Sequence, residues 1–290
     1  MFGELILGGL ASGSLYALIG LAIAIVLRVT DIPNFAQGEM AMVSTFVAYW
    51  LLHDEGMAWW AAVLLAGVFA AAQGLAVQAL VIRPLIGGPI LSAVIATLGL
   101  DIVLHSVAGM IWGHETLVFP SPLADAAPVF LGGVPLALDS LADIIVAAAV
   151  MLGMTLLLRF TWTGMALRAV SQDQMMARLV GISVSRSFAL AWAMGGVAGA
   201  IAGVLVAPAV FLDTNMMGSL LIKAFAGGVL GGLSSLPGVL LGCLALGVLE
   251  NVIGAYLSPS FGDALTFGVI IAVLMLRPEG VFGTVQVRRV

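Results

Sequence analysis

Residues 163–186 read T-G-M-A-L-R-A-V-S-Q-D-Q-M-M-A-R-L-V-G-I-S-V-S-R, a polar stretch between two apolar segments that are each long enough to cross a bilayer. The stretch carries three arginines in a chain in which 9% of residues are charged. Its polar and apolar positions recur at three- and four-residue steps, which predicts a helix. A segment this polar is excluded from hydrocarbon. We interpret it as a contact surface for a soluble partner; an amphipathic surface loop without a partner is the alternative.

The composition of the whole chain indicates an integral membrane protein. Hydrophobic residues make up 62% of the 290 positions, and the charged fraction is well below the roughly 25% of soluble domains. Unbroken apolar runs recur along the chain, which predicts an all-α fold, a polytopic bundle of transmembrane helices. Cys243 is the single cysteine, which excludes an intrachain disulfide. No basic residues precede the first apolar run, so we expect an uncleaved anchor rather than a signal peptide.

Nine apolar segments are predicted, with eight as the alternative count. They are residues 5–27, 40–52, 58–81, 90–112, 141–158, 187–207, 219–233, 238–256 and 264–276. The second segment is shorter than the roughly 20 residues that cross a bilayer, so a partly re-entrant path stays open for it.

The arginines indicate how the segments are oriented. Nine of the ten basic residues share one side when nine segments alternate, namely Arg28, Arg83, Arg277, Arg288, Arg289 and the arginines of residues 159–186. The positive-inside rule makes that side cytoplasmic, with the N-terminus outside and the C-terminus inside. We predict a single transmembrane domain over residues 1–290, with a cytoplasmic segment at 159–187.

The long connection at residues 113–140 falls on the outer side and carries Glu115, Asp125 and Asp139. Its four prolines predict an extended rather than a helical conformation. We interpret it either as a docking surface for an external partner or as a solvated connector.

Polar residues inside apolar segments are the candidate functional residues, because a charge at the bilayer centre costs roughly 2.5–3.5 kcal/mol. Thr97, Asp101 and His105 follow four-residue steps and share one helix face. This face is expected to contact a solute or to contain a structural Asp–His pair.

The other intramembrane polar residues lie near the C-terminal end of the chain. Lys223, the single lysine, is expected to extend outward to the interface or to oppose a solute carboxylate. Glu250 and Asn251 lie near the outer end of their segment, where they line a vestibule or reach the interface.

Residues 31–39 read D-I-P-N-F-A-Q-G-E and join the first two apolar segments. Pro33 prevents a continuous helix and Gly38 permits a bend. Asn34, Gln37 and Glu39 make this connection polar. It is either a cytoplasmic turn or an irregular segment that enters a cavity.

Several catalytic motifs are absent from the sequence. It contains no G-x-x-x-x-G-K-[ST], G-x-S-x-G or H-E-x-x-H pattern. We therefore predict a chain that is not an enzyme and does not hydrolyse ATP by a P-loop mechanism.

Residues 34–39, N-F-A-Q-G-E, resemble the N-F-A-H-G-E signature of permease subunits of branched-chain amino-acid ABC importers, with Gln37 in place of the usual histidine. Further segments resemble the same family in register. They are residues 83–85 (R-P-L), residues 164–182, the glycine-rich residues 225–238 and the R-P-E-G-V-F-G ending at 277–283.

The resemblance implies an assembly in the bacterial inner membrane. Its expected partners are a homologous second permease, two cytoplasmic ATPases that bind ATP and Mg²⁺, a periplasmic binding protein and the lipid bilayer, with no nucleic acid and no cofactor on this chain. Residues 113–140 would form a periplasmic loop. Residues 159–187 would form the coupling segment, with ATPase contacts at Gly164, Arg168, Asp173, Arg178, Leu179, Gly181 and Ile182.

The solute that the resemblance implies is a branched-chain amino acid or a related small carboxylate. Urea, short amides and aromatic acids are the alternatives within the family, and a stand-alone secondary transporter or channel is the alternative outside it. The candidate translocation residues are Asn34, Gln37, Glu39, Thr97, Asp101, His105, Lys223, Glu250 and Asn251.

Overall fold

The computed structural model describes residues 2–124, 126–131, 133–277 and 279–283. Asp125, Pro278 and Arg288–Arg289, which entered the sequence predictions above, lie outside the described residues.

The described residues form eleven α-helices and one small sheet. The helices are α1 Phe2–Thr30, α2 Gln37–His53, α3 Trp59–Val77, α4 Ile90–Trp112, α5 Leu138–Phe160, α6 Trp162–Gln172, α7 Gln174–Leu179, α8 Val184–Val210, α9 Gly218–Gly231, α10 Leu236–Tyr256 and α11 Pro259–Leu276. The strands are β1 Val129–Leu131 and β2 Val134–Leu136. The predicted all-α membrane fold is confirmed, with the sheet as a minor addition.

Each of the nine predicted apolar segments contains a helix, but the helices differ in length. Within the described ranges, six helical stretches are long and apolar enough to cross a membrane: Phe2–Thr30, Trp59–Leu85, Ile90–Trp112, Leu138–Phe160, Val184–Val210 and Leu236–Tyr256. Helix α2 has 17 residues and α9 has 14. The count of eight or nine spans therefore stays a prediction.

Contacts between residues divide the chain into two compact units. The terminal unit comprises residues 1–24, 123–148 and 220–290, and the central unit comprises residues 25–122 and 149–219. In the central unit α8 packs against α2 and α3, and α2 also packs against α4. Its core includes a cluster of buried apolar residues that α1, α2, α3, α4 and α8 contribute, among them Val26, Met40, Val77 and Trp192.

Glycines let the helices of the terminal unit approach closely. A Cβ on Gly13 would lie 2.8 Å from Leu244 Cα, and one on Gly227 would lie 2.6 Å from Cys243 Cα. The α1–α10 and α9–α10 contacts therefore depend on residues without a side chain, as in close helix packing in lipid. These glycines serve packing within the chain.

The last described residues also pack within the terminal unit. The backbone N–H groups of Val281 and Phe282 donate to the carbonyls of Leu230 (2.9 Å) and Gly231 (3.0 Å) at the end of α9. These bonds satisfy carbonyl groups that a helix end leaves without an intrahelical partner.

The long connection at residues 113–140 is mostly irregular, as its prolines predicted. Its regular part is an antiparallel hairpin in which Val129 pairs with Leu136. A separate bridge joins Leu117 to Leu212 within the central unit.

Candidate functional site

The connection between α1 and α2 is irregular and mostly buried. Helix α1 ends at Thr30, and the next residue, Asp31, has a φ of 59°, in the left-handed region that aspartate tolerates better than most residues. The chain then runs irregularly to α2, and Asn34 and Gln37 are 2% and 1% exposed. The two interpretations of this segment, a cytoplasmic turn and an irregular segment that enters a cavity, both stay predictions.

Two amide side chains hold this segment in place. Asn34 Nδ2 donates to Gln37 Oε1 at 3.0 Å, and Gln37 Nε2 donates to the carbonyl oxygen of Gly195 on α8 at 3.0 Å. A Cβ on Gly199 would clash with Gln37 Nε2, so this glycine leaves room for the amide. Gln37, which replaces the histidine of the family signature, therefore links α2 to α8 by a hydrogen bond.

Helix α4 presents its predicted polar face to the same segment. Thr97 Oγ1 lies 2.9 Å from the carbonyl oxygen of Val94 and 3.4 Å from that of Pro33. His105 Nδ1 lies 3.5 Å from Glu39 Oε2. The charge of Asp101 lies close enough to interact with both Glu39 and His105.

The structure corrects the pairing that the sequence suggested on α4. The ion-pair partner of His105 is Glu39 on α2, rather than Asp101 on its own helix. The Asp101–His105 pair was expected because local spacing identifies neighbours on one helix and carries no information about the facing helix.

Six predicted residues thus form one group, the central polar cluster: Asn34, Gln37, Glu39, Thr97, Asp101 and His105. Among the described residues, Asn34 Oδ1 and Glu39 Oε2 are buried without a hydrogen-bond partner. Buried acceptors are normally paired, so acceptors of this kind indicate a functional role or a bound water. Gly195 belongs to the cluster through its carbonyl group, which no side-chain pattern identifies.

A second group lies in the terminal unit and is centred on Glu250 of α10. Lys223 Nζ donates to Glu250 Oε1, and Tyr16 Oη donates to Glu250 Oε2 at 2.9 Å. Lys223 is therefore paired with an intramembrane carboxylate, and the expectation that it extends outward to the interface is wrong. An ion pair offsets part of the cost of burying each charge.

A cavity of about 350 Å³ adjoins this pair. Its walls come from α1 and α10: Ser12, Tyr16, Gly247, Glu250, Asn251, Gly254 and Ala255. Glu250 and Asn251 both line this cavity, and their place in an outer vestibule stays a prediction.

Ser12 and Tyr16 were not among the predicted site residues. They are four residues apart and lie on one face of α1, which is otherwise mostly apolar. Thr97 and His105 were identified as polar residues at four-residue steps on one face of an apolar helix, and the same criterion would have identified Ser12 and Tyr16.

The polar stretch that was predicted as one helix forms two, α6 and α7. Asp173 has extended backbone angles between them. Its carboxylate accepts hydrogen bonds from the N–H groups of Met175 (2.8 Å) and Met176 (2.9 Å), which makes it the N-cap of α7. Periodicity alone did not predict the break, because Asp173 occupies an exposed position that fits either arrangement.

Three other predicted coupling residues have different surroundings. Gly164 is buried, and a Cβ there would lie 2.5 Å from Leu158 Cα. Gly181 follows α7 with a φ of 84°, a conformation that favours glycine. Ile182 N–H donates to the carbonyl oxygen of Ala177 at 2.9 Å and is half-buried. All three shape the turn around α6 and α7.

Arg168, Arg178 and Leu179 are exposed. Five further large apolar residues on or directly after α6 and α7 are 41–85% exposed: Trp162, Met165, Met175, Met176 and Val180. We call these eight residues together the coupling surface. Exposed apolar residues grouped in this way mark an interaction site.

Within the described residues, six helical stretches are apolar and long enough to cross a membrane, which defines a multi-pass membrane protein. The chain belongs to the family of permease components of branched-chain amino acid transport systems, whose family model matches residues 5–274.

Individual relatives match along nearly the whole chain. The permease protein LivH of the high-affinity branched-chain amino acid transport system of Salmonella typhimurium is 30% identical over 309 residues, which cover 100% of this chain and 98% of LivH. The permease protein BraD from Pseudomonas aeruginosa is 31% identical, covering 98% of this chain and 97% of BraD.

Among solved structures, PsaBC from Streptococcus pneumoniae in complex with Fab contains a chain of similar fold. The TM-score is 0.50 at 14% identity, with 94% of this chain and 91% of that chain covered. This likeness concerns the fold alone.

Proposed function

We propose that this chain is the transmembrane permease subunit of an ATP-driven importer of the ABC type, and that it translocates branched-chain amino acids. One observation carries the proposal: the match to LivH covers 100% of this chain and 98% of LivH. The absence of a P-loop from the sequence agrees with ATP hydrolysis on separate subunits.

The coupling surface is the proposed contact for two cytoplasmic ATPases. Its exposed methionines, Met175 and Met176, are 72% and 62% exposed and fit an apolar groove on a partner. Arg168 and Arg178 beside them would pair with acidic groups at the rim. ATP-driven movement of the ATPases would be transmitted through this surface to α5 and α8, the helices that flank it.

The proposed topology has nine membrane segments, with the N-terminus in the periplasm and the C-terminus in the cytoplasm of a bacterial inner membrane. Helix α2 is about 25 Å long at 1.5 Å per residue, less than the roughly 30 Å of the hydrocarbon core. The buried segment that precedes α2 supports a path that continues through the protein without helix. Residues 113–140 would then face a periplasmic binding protein, and residues 1–290 would act as one permease domain beside a homologous second permease.

The central polar cluster and the Glu250 group are the proposed polar residues of the translocation pathway. Helix ends and irregular backbone at membrane depth are tolerated where they line a polar cavity. Asn34 Oδ1, which has no hydrogen-bond partner among the described residues, and Glu39 Oε2, which lies 3.5 Å from His105 Nδ1, offer acceptors to a passing solute or its water.

The experiment that tests this function begins with purification of the chain from its native membrane in mild detergent, followed by identification of the proteins that accompany it. We expect a P-loop ATPase and a second permease. The complex, placed in vesicles with its binding protein, should accumulate labelled leucine when ATP is present on the ATPase side. Leucine uptake by vesicles that contain this chain alone would contradict the proposal.

A further inference from the structure

Glu250 has capacity for a further ligand. Each of its oxygens accepts one hydrogen bond in the described part of the chain, from Lys223 and from Tyr16. A carboxylate oxygen has two lone pairs, so the group still offers acceptor sites. Its side chain is 19% exposed, whereas Tyr16 is 7% exposed. The carboxylate therefore reaches the adjoining cavity while its two partners hold it in place.

The cavity has the dimensions of a small-molecule site. Its volume of about 350 Å³ lies at the lower end of the roughly 300–1,000 Å³ typical of ligand pockets. Its polar lining residues are Glu250, Asn251, Ser12 and Tyr16. The other lining residues are Gly247, Gly254 and Ala255, whose side chains are small and add no polar groups.

These groups complement a zwitterion. A carboxylate accepts from an ammonium group, and an amide N–H₂ with a hydroxyl donates to a carboxylate. We propose that this cavity, the α1–α10 pocket, binds a free α-amino acid, with the ammonium group at Glu250 and the carboxylate at Asn251 and Ser12. This inference rests on the proposed function. It assigns a binding site for the solute and names the zwitterionic head group as the feature that the site recognises.

The pocket excludes the alternative solutes for a physical reason. A carboxylate without an ammonium group would face the acceptor oxygens of Glu250 with no donor between them, and two acceptors at short distance repel. Urea and short amides carry no charge and would leave the charge-assisted hydrogen bond unmade. The α1–α10 pocket therefore selects amino acids over aromatic acids and amides.

The position of the pocket fits an entry site. Glu250 lies six residues before the end of α10, or about 9 Å along the helix. Ser12 lies ten residues after the start of α1, or about 15 Å. In the proposed orientation both positions belong to the outer half of the membrane, on the side where a binding protein releases its ligand.

The test is protection of an introduced thiol in the importer purified with its own partner subunits. Ser12→Cys places a thiol in the pocket wall, while the natural Cys243 is fully buried and supplies the background. Labelling by a charged methanethiosulfonate is followed as the mass of this chain. We expect leucine at about nine times its Kd to slow labelling about tenfold, since the free fraction falls as 1/(1 + [L]/Kd). Ala126→Cys, at an exposed loop position, is the matched control and should show no protection.

Two analogues test the chemistry of recognition. 4-Methylpentanoate has the side chain and carboxylate of leucine without the ammonium group, and 3-methylbutylamine lacks the carboxylate. Neither should protect Ser12→Cys at concentrations where leucine does. Equal protection by 4-methylpentanoate would overturn the assignment of Glu250 to the ammonium group. If Ser12→Cys does not assemble, Ala255→Cys provides a second thiol in the same wall.

A charge substitution separates binding from structure. Glu250→Gln combined with Lys223→Met removes both members of the ion pair, so neither is left facing the other's vacant position. We expect this double variant to weaken leucine protection about tenfold to a hundredfold, the range for losing a hydrogen bond to a charged group, and to abolish the preference for leucine over 4-methylpentanoate. Glu115→Gln, an exposed carboxylate outside the pocket, is the control.

The proposed function and the pocket assignment fail in different ways. Absence of ATP-dependent leucine uptake by the natural complex would contradict the proposed function. Leucine uptake by the natural complex, together with unchanged labelling of both pocket thiols at saturating leucine, would overturn the pocket assignment alone.

Discussion

Glu39 Oε2 lies 3.5 Å from His105 Nδ1, and this ion pair joins the first turn of α2 to the middle of α4. The two residues are 11% and 36% exposed. The pair connects the central polar cluster to α4. Thr97, about two helical turns before His105 on α4, makes a second connection through the carbonyl oxygen of Pro33.

Replacing His105 with Ala should destabilise the protein because the buried carboxyl group of Glu39 would lose its imidazole neighbour. We expect a loss of about 1–3 kcal/mol, the cost of leaving a buried polar group without its partner. Thermal unfolding of the purified complex in detergent measures this. Glu39→Gln in the same background should recover part of the loss, and strictly additive effects of the two changes would contradict the pairing.

Gln37 should be replaceable by His but not by Ala. Gln37→Ala removes the donor to the Gly195 carbonyl and should cost about 1–3 kcal/mol for the buried acceptor that is left unpaired. Gln37→His keeps a ring N–H donor at that position and should restore most of the stability and uptake. Gln172→Ala, at an exposed site on α6, is the control. Equal losses for Ala and His at position 37 would show that hydrogen bonding is not the role of this residue.

Leu179→Glu should uncouple transport from ATP while leaving the chain in the membrane. Leu179 is 73% exposed on the coupling surface, so its loss removes no internal contact of the described chain. We expect membrane content to be unchanged and ATP-dependent uptake to fall by an order of magnitude or more, because a buried, unpaired carboxylate at an interface costs about 2–5 kcal/mol. Wild-type uptake by this variant would contradict the coupling role.

A substitution at Gly181 is less informative than one at Leu179. Its φ of 84° strains any residue with a side chain, so an acidic substitution there mixes backbone strain with charge. Gly181→Ala measures the strain alone and serves as the reference for any larger substitution at that position.

Asp173→Ala should loosen α7. The carboxylate caps the N–H groups of Met175 and Met176, and the loss of an N-cap costs about 0.5–2 kcal/mol. Hydrogen exchange at these two amides should accelerate, while Asp173→Asn should keep them protected because its amide oxygen also accepts. Unchanged exchange in the Ala variant would contradict the capping role.

Gly13→Ala should destabilise the terminal unit, because the new methyl group would lie 2.8 Å from Leu244 Cα. Overpacking of this kind costs about 1–3 kcal/mol. Gly153→Ala is the matched control on α5, where nothing lies within 4 Å of the new Cβ. It should be neutral or stabilising by up to about 1 kcal/mol, the helix propensity difference. Thermal unfolding compares the two, and equal effects would contradict the close helix contact.

The helices were predictable because apolar length and periodicity are local properties of a sequence. Helix α4 was predicted at residues 90–112 and is observed at Ile90–Trp112. The break at Asp173 was not predicted, since an exposed capping aspartate fits a continuous helical pattern as well as an interrupted one. Most of the candidate residues were selected because polar groups are rare in apolar segments, a property that is visible without a structure; their role in a translocation pathway stays a prediction.

The hydrogen-bond and ion-pair partners of the candidate residues were not predictable from the sequence. Lys223 was expected at the interface, and the structure pairs it with Glu250 on the next helix. Tyr16 reaches the same carboxylate from a position 234 residues away, and Gln37 reaches Gly195 across 158 residues. No local pattern encodes such separations.

By itself, then, the sequence determined the membrane class of this protein and the polar residues in its apolar segments, because the cost of placing a charge in hydrocarbon depends on each segment alone. Only the tertiary structure decided that these residues form two groups, one centred on the Glu39–His105 pair and one on Glu250. The physical reason is that an ion pair or a hydrogen bond requires two atoms within about 3–4 Å of each other. Helices must approach closely to bring such atoms together, and that approach depends on how their glycine and alanine faces pack in three dimensions.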